Sequence, residues 1–130
     1  MVPSQKENFV QAIGRLRANG GGDCPEMAIG GIRDALSLSP KYGSPMFVFT
    51  DASPKDGSDA NVAAVKQLAK QHGTTISFFT RKVPCTADGN KRYKEIADAT
   101  AGILFSSKLN YRPMYRTMFS ECDGIRSWLG

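Results

Sequence analysis

Residues 46–50 read Met-Phe-Val-Phe-Thr, a short and almost unbroken apolar run that stops abruptly at Asp51. Strands buried in a parallel sheet read this way, because helices cover both of their faces. A polar loop follows, then Val62, Val65, Leu68 and Ala69 at helical spacing over about 58–72, ended by Gly73. Residues 75–80, Thr-Ile-Ser-Phe-Phe-Thr, form the next expected strand. Tyr93, Ile96 and Ala97 mark another helix, Gly102 a stop, and residues 103–105 a third strand. This alternation predicts right-handed crossovers and an α/β fold, a Rossmann-like doubly wound parallel sheet with flanking helices. Ligands of such sheets bind at the carboxyl ends of the strands, and that is where Asp51 falls.

Upstream, Phe9, Val10, Ile13 and Leu16 give an apolar stripe to a helix over residues 5–18, ended by Asn19 and three glycines. A second helix is expected to open around Asp23-Cys24-Pro25-Glu26 and run to about Leu38. Asp23 or Cys24 falls near its cap, Pro25 suits the first turn, and Glu26 complements the helix dipole. Ala28, Ile32, Ala35 and Leu36 share its apolar face. At the other end, residues 108–130 read as a C-terminal helix and tail with Tyr111, Met114, Tyr115, Met118 and Phe119. These residues suit a core-facing stripe and leave a partner surface open.

The chain has 130 residues, enough for one domain, and its 41% hydrophobic and 22% charged residues are those of a globular protein. No apolar run approaches the roughly 18 residues that span a bilayer. The net charge is +5, with most of the surplus in the C-terminal segment but no block of like charges and no nucleic-acid motif, so nucleic acid is not an expected partner. The glycine run at 20–22 follows a helix and lacks the Lys-Ser/Thr of a phosphate-binding loop. No nucleophile–base pair stands out, and the lone His72 sits at a helix end, which argues against an enzyme. Cys24, Cys85 and Cys122 are odd in number and not spaced for zinc. Either all three are thiols, or one disulfide forms and one thiol is left over.

Two segments are specific: Gly20-Gly21-Gly22-Asp23-Cys24-Pro25-Glu26-Met27, and Phe47-Val48-Phe49-Thr50-Asp51-Ala52 followed by Lys55-Asp56. Their order and separation resemble the von Willebrand factor type A domain, in the version found in hemicentins. The resemblance covers about residues 5–107 and makes residues 1–130 a single, partial domain. It implies an extracellular or secreted protein-interaction or adhesion module whose partner is a protein ligand or matrix component. In its intact form such a domain holds Mg2+ or Ca2+ at a metal-ion-dependent adhesion site, where hard oxygen donors suit these cations. By this resemblance Asp51 is the third-loop aspartate of that site, with Thr50 and Ser53 beside it on the binding edge. Glu26 takes the second-loop position, with Asp23 as its substitute. The other reading of Asp51 is a strand-end carboxylate capping the next turn, and that of Glu26 and Asp23 is helix-start charge. Cys24 and Cys85 fall on loops at the same end of the sheet and are the candidate disulfide in an oxidising compartment.

One part of the family pattern is missing. The sequence contains no D-x-S-x-S loop and no apolar strand before it. The strand at 46–50 is then an edge, and an apolar edge recruits another chain or aggregates. Three situations follow: the chain is one piece of a longer polypeptide, a separate chain supplies the missing strands, or the chain self-associates through that edge. A metal-independent assembly subunit is the alternative function.

Overall fold

The computed structural model describes residues 3–17, 19, 25–81 and 90–107. Its elements are α1 (Pro3–Gly14), α2 (Ala28–Ser37), β1 (Met46–Thr50), α3 (Asp59–His72), β2 (Ile76–Arg81), α4 (Lys91–Ala99) and β3 (Leu104–Ser107). The strands form one parallel sheet in the order β1-β2-β3. Val48 stands opposite Phe78, and Phe78 opposite Leu104. Because side chains alternate across a strand, Met46, Val48, Ile76, Phe78 and Leu104 share one face. That face packs on Ile29, Ile32 and Leu36 of α2, Val62, Val65 and Ala69 of α3, and Tyr93, Ile96 and Ala97 of α4. The opposite face carries an aromatic row. Phe49 stacks on Phe79 with ring centroids 4.9 Å apart, and Phe47 and Phe105 flank the same ring at 6.0 Å.

The expected strands and the helices α3 and α4 stand where the apolar spacing puts them. Ser58 caps α3 by accepting the Asn61 amide at 3.2 Å. Gly73 closes it in the left-handed conformation at φ 60°. The Tyr42 ring lies over Gly73, where an added Cβ would come within 2.7 Å of a ring carbon.

The two upstream helices differ from expectation. α1 ends at Gly14 rather than near residue 18; its Phe9, Val10 and Ile13 are exposed, and so is Leu16 beyond its end. α2 begins at Ala28, not at residues 23–26. Its buried residues are Ile29, Ile32 and Leu36, while Ala35 faces outward. The reason is tertiary: Glu26 pairs with Pro54 in a parallel bridge, so its backbone is extended and cannot also be helical. Glu26 is therefore not a residue of the first helical turn. Asp23, Cys24, Cys85, Cys122 and the segment 108–130 lie outside the described residues, and so does the expected disulfide.

Candidate functional site at the carboxyl end of β1

β1 ends at Thr50, and the chain turns at once. The Thr50 hydroxyl accepts the Ala52 amide at 3.1 Å and lies 3.2 Å from the Ala52 carbonyl, a side-chain turn that fixes the corner. Asp51 sits at that corner and is exposed, while Ala52 and Ser53 are buried. Of the residues expected on the binding edge, Asp51 thus reaches solvent, Thr50 is half-buried and engaged with its own turn, and Ser53 lies beneath the surface.

Glu26 reaches this corner from the other motif. Its amide donates to the Ser53 carbonyl at 2.9 Å, and its carbonyl accepts the Lys55 amide at 2.9 Å. This is one repeat of a parallel ladder. It tolerates Pro54 because the bonds go to the residues on either side, and Pro54 has no N–H to offer. The Glu26 side chain is exposed. Two segments that are separate in the sequence are thereby fastened backbone to backbone, each with a solvent-facing carboxylate.

Two further residues support the corner. Asp56 is nearly buried, and its carboxylate accepts the Ile29 amide at 3.1 Å and the Gly30 amide at 2.6 Å. These are the second and third residues of α2, the positions a capping side chain serves. The local cap residue, Met27, makes no side-chain bond there. Asp56 therefore caps α2 from 26 residues away and brings negative charge to the positive end of its dipole. Asn61 adds a bond from its side-chain amide to the Asp56 carbonyl at 2.9 Å.

Tyr93 is the second support. Its ring stacks on Phe78 at 4.8 Å, and its hydroxyl donates to the Ala52 carbonyl at 2.9 Å. Burial pushes its phenol up to about 12; the Asp56 charge adds to this, and a hydrogen bond with Thr50 opposes it. Spacing placed Tyr93 on the apolar face of a helix, but it did not reveal what the hydroxyl reaches. Asp56 gave no sign either, because residues 23–26 offer capping chemistry of their own and only the structure shows that α2 starts at Ala28 behind the uncapped Met27.

At the flank, Arg92 of α4 pairs with Asp59 of α3 and with Glu95, which in turn accepts from Lys66 at 2.7 Å. The Lys66 bond first, and Arg92 second, hold the Glu95 carboxyl below its usual range. The same pairing, led by Asp59, raises the Arg92 guanidinium. This chain of charges ties α3 to α4 behind the corner.

The donor set does not by itself make a divalent-cation site. Among the described residues no group of three or more His, Cys, Asp or Glu is placed to hold a metal ion. Mg2+ requires a near-octahedral oxygen shell and Ca2+ six or more oxygens. Asp51 and Glu26 offer two exposed carboxylates, and the Thr50 hydroxyl is already engaged. No helix among the described residues is long and apolar enough to cross a membrane.

Comparison with known proteins agrees with this architecture. The von Willebrand factor A domain family matches residues 1–108. The mouse (Mus musculus) von Willebrand factor A domain-containing protein 7 is 33% identical over 119 residues, covering 83% of this chain and 13% of that protein. Human (Homo sapiens) Hemicentin-1 is 37% identical over 107 residues, covering 80% of this chain and 2% of that protein. Mouse Hemicentin-2 is 44% identical over 97 residues, covering 75% of this chain and 2% of that protein. The chain thus spans only a small part of the relatives it matches. No solved structure gives a significant match. The chain belongs to the von Willebrand factor A domain family.

Proposed function

We propose that this chain is part of a non-enzymatic protein-interaction or adhesion module that engages its partner at the carboxyl end of β1. The observation that carries this reading is the paired bond between Glu26 and residues 53 and 55. It fastens both family motifs into one corner with Asp51 and Glu26 facing solvent. A preorganised pair of exposed carboxylates suits recognition, because little ordering remains to be done on binding. The partner is a protein ligand or matrix component, and the setting is extracellular. In the intact domain Asp51 and Glu26 would offer oxygen donors to Mg2+ or Ca2+ beside a D-x-S-x-S loop from another segment, and the cation would supply positive charge for a carboxylate of the partner. Relatives named hemicentin and von Willebrand factor A domain-containing protein 7 support the family basis of this reading.

The test is calorimetric titration of Mg2+ and Ca2+ into the chain joined to an upstream apolar strand ending in D-x-S-x-S. Saturable binding that Asp51→Ala abolishes is the expected result. No heat with either cation removes the metal from the proposal.

A second reading, metal-independent assembly, is favoured by β1 itself. Within the described sheet it is paired on one side only, and Phe49 is 54% exposed. An apolar edge of this kind accepts another strand, from a complementing chain or from a second copy.

A further inference from the structure

We propose that Asp56 is the positioning residue of the binding corner: by clamping the start of α2 to the loop after β1, it holds the exposed carboxylates of Glu26 and Asp51 in one fixed arrangement. Only the ligand of that arrangement rests on the interaction reading above. The positioning itself is a property of the free chain.

The geometry is that of a closed ring. The Asp56 carboxylate bonds Ile29 and Gly30. Three residues before Ile29, Glu26 bonds Ser53 and Lys55. Lys55 adjoins Asp56, so the two ties lie close together on both segments. Neither tie alone fixes the angle between the segments. A single ladder repeat leaves the strands free to pivot, and a cap alone leaves the chain before the helix free to fray. Together they permit one arrangement. The carboxylate is well suited to this, since it accepts two N–H groups with its two oxygens and favours the positive end of the helix dipole.

The surroundings are fitted to it. A Cβ on Gly30 would lie 3.3 Å from Asp56 Oδ2, so a glycine there lets the carboxylate come to its 2.6 Å bond. Asn61, itself tied to the Ser58 cap of α3, holds the Asp56 carbonyl from the other side. Asp56 therefore joins the loop to two helices, one through its side chain and one through its backbone. Asp51 lies five residues before it on the same loop, and its position follows.

Amide hydrogen exchange of the whole chain tests this, comparing Asp56→Ala and Asp56→Asn with Thr100→Val. Thr100→Val removes the hydroxyl that accepts the Ile76 amide at 3.0 Å, away from the corner, and controls for lost stability. In Asp56→Ala, the Ile29, Gly30, Glu26 and Lys55 amides are expected to exchange about tenfold faster or more, relative to the Phe78 and Val65 amides. Asp56→Asn keeps the shape and one acceptor oxygen, so the same four amides accelerate by less. It carries the test if the alanine variant does not fold. Thr100→Val leaves the ratio between these four amides and the core amides unchanged. If Ile29 and Gly30 accelerate while Glu26 and Lys55 do not, Asp56 is a helix cap and nothing more, and the proposal is overturned. The cation titration of the preceding section fails or succeeds independently of this result.

Discussion

The hydroxyl of Tyr93 donates to the carbonyl of Ala52 at 2.9 Å, joining the face of α4 to the turn that carries Asp51. Its ring is buried against Phe78, so one side chain both fills the core and fixes the corner. Removing the hydroxyl alone separates these two roles. Tyr93→Phe keeps the stack and is expected to cost about 1 kcal/mol, the usual net worth of one such bond. The Ala52 carbonyl keeps its contact with the Thr50 hydroxyl, which limits the loss. Urea denaturation with an unchanged slope and a lowered midpoint would show it.

The same residue gives the alkaline limb of stability a definite sign. A tyrosine phenol ordinarily ionises at 10.0, and burial pushes that of Tyr93 up to about 12. Between these values the unfolded chain releases the proton and the folded chain keeps it. Stability from this group is therefore intact below pH 10.0 and declines as pH rises toward about 12. Absorbance titration of the phenolate band should show a late-ionising tyrosine that Tyr93→Phe removes.

Glu95 gives the opposite limb. Lys66 and then Arg92 hold its carboxyl below the ordinary 4.5. A depressed carboxylate contributes stability above the unfolded value and loses it as pH falls through the folded one. Glu95→Gln is expected to flatten the stability profile below pH 4.5. Added salt shrinks the difference between the two proteins, because these side chains are partly exposed. Thermal melts across this pH range, with and without salt, measure both effects.

Gly102 admits no side chain. A Cβ there would lie 1.9 Å from the Ile76 carbonyl oxygen, which is backbone at the start of β2. Gly102→Ala must push β3 and β2 apart, at a cost of about 3 kcal/mol or more. Gly31, where an added Cβ meets nothing within 4 Å, is the control, and Gly31→Ala should be tolerated. Paired denaturation curves of the two variants decide it.

Phe49 tests the edge. It is 54% exposed on the outermost strand of the described sheet. Phe49→Lys places a charge on that edge and is expected to shift any self-association toward monomer. Light scattering across a concentration series reads this directly. A wild-type chain that stays monomeric at high concentration counts against assembly through β1.

Much of the fold was legible in the residues themselves. Val62, Val65 and Ala69 share one helical face, residues 46–50 are an apolar run of strand length, and residues 75–80 are a strand-length stretch of Thr, Ile, Ser and Phe. Such periodicities are local, so they survive without knowledge of the rest of the chain. The position of Asp51 at the end of β1 was legible for the same reason. The start of α2 was not. Residues 23–26 carry good capping and first-turn chemistry, but the backbone of Glu26 is committed to the 53–55 loop. The cap comes instead from Asp56. The exposed stripe of α1 is a second case, since helical spacing specifies a face and says nothing of what covers it.

Sequence by itself thus determined the alternation of elements, the family and the carboxylate at the strand end. The tertiary structure alone decided that Glu26 faces solvent from an extended bridge, that Ser53 lies beneath the surface, and that Asp56 and Tyr93 hold the corner together. The division has one physical cause. Hydrophobic periodicity acts between residues a few positions apart. A hydrogen bond joining residues 26 to 41 positions apart depends on how the whole sheet and its helices pack.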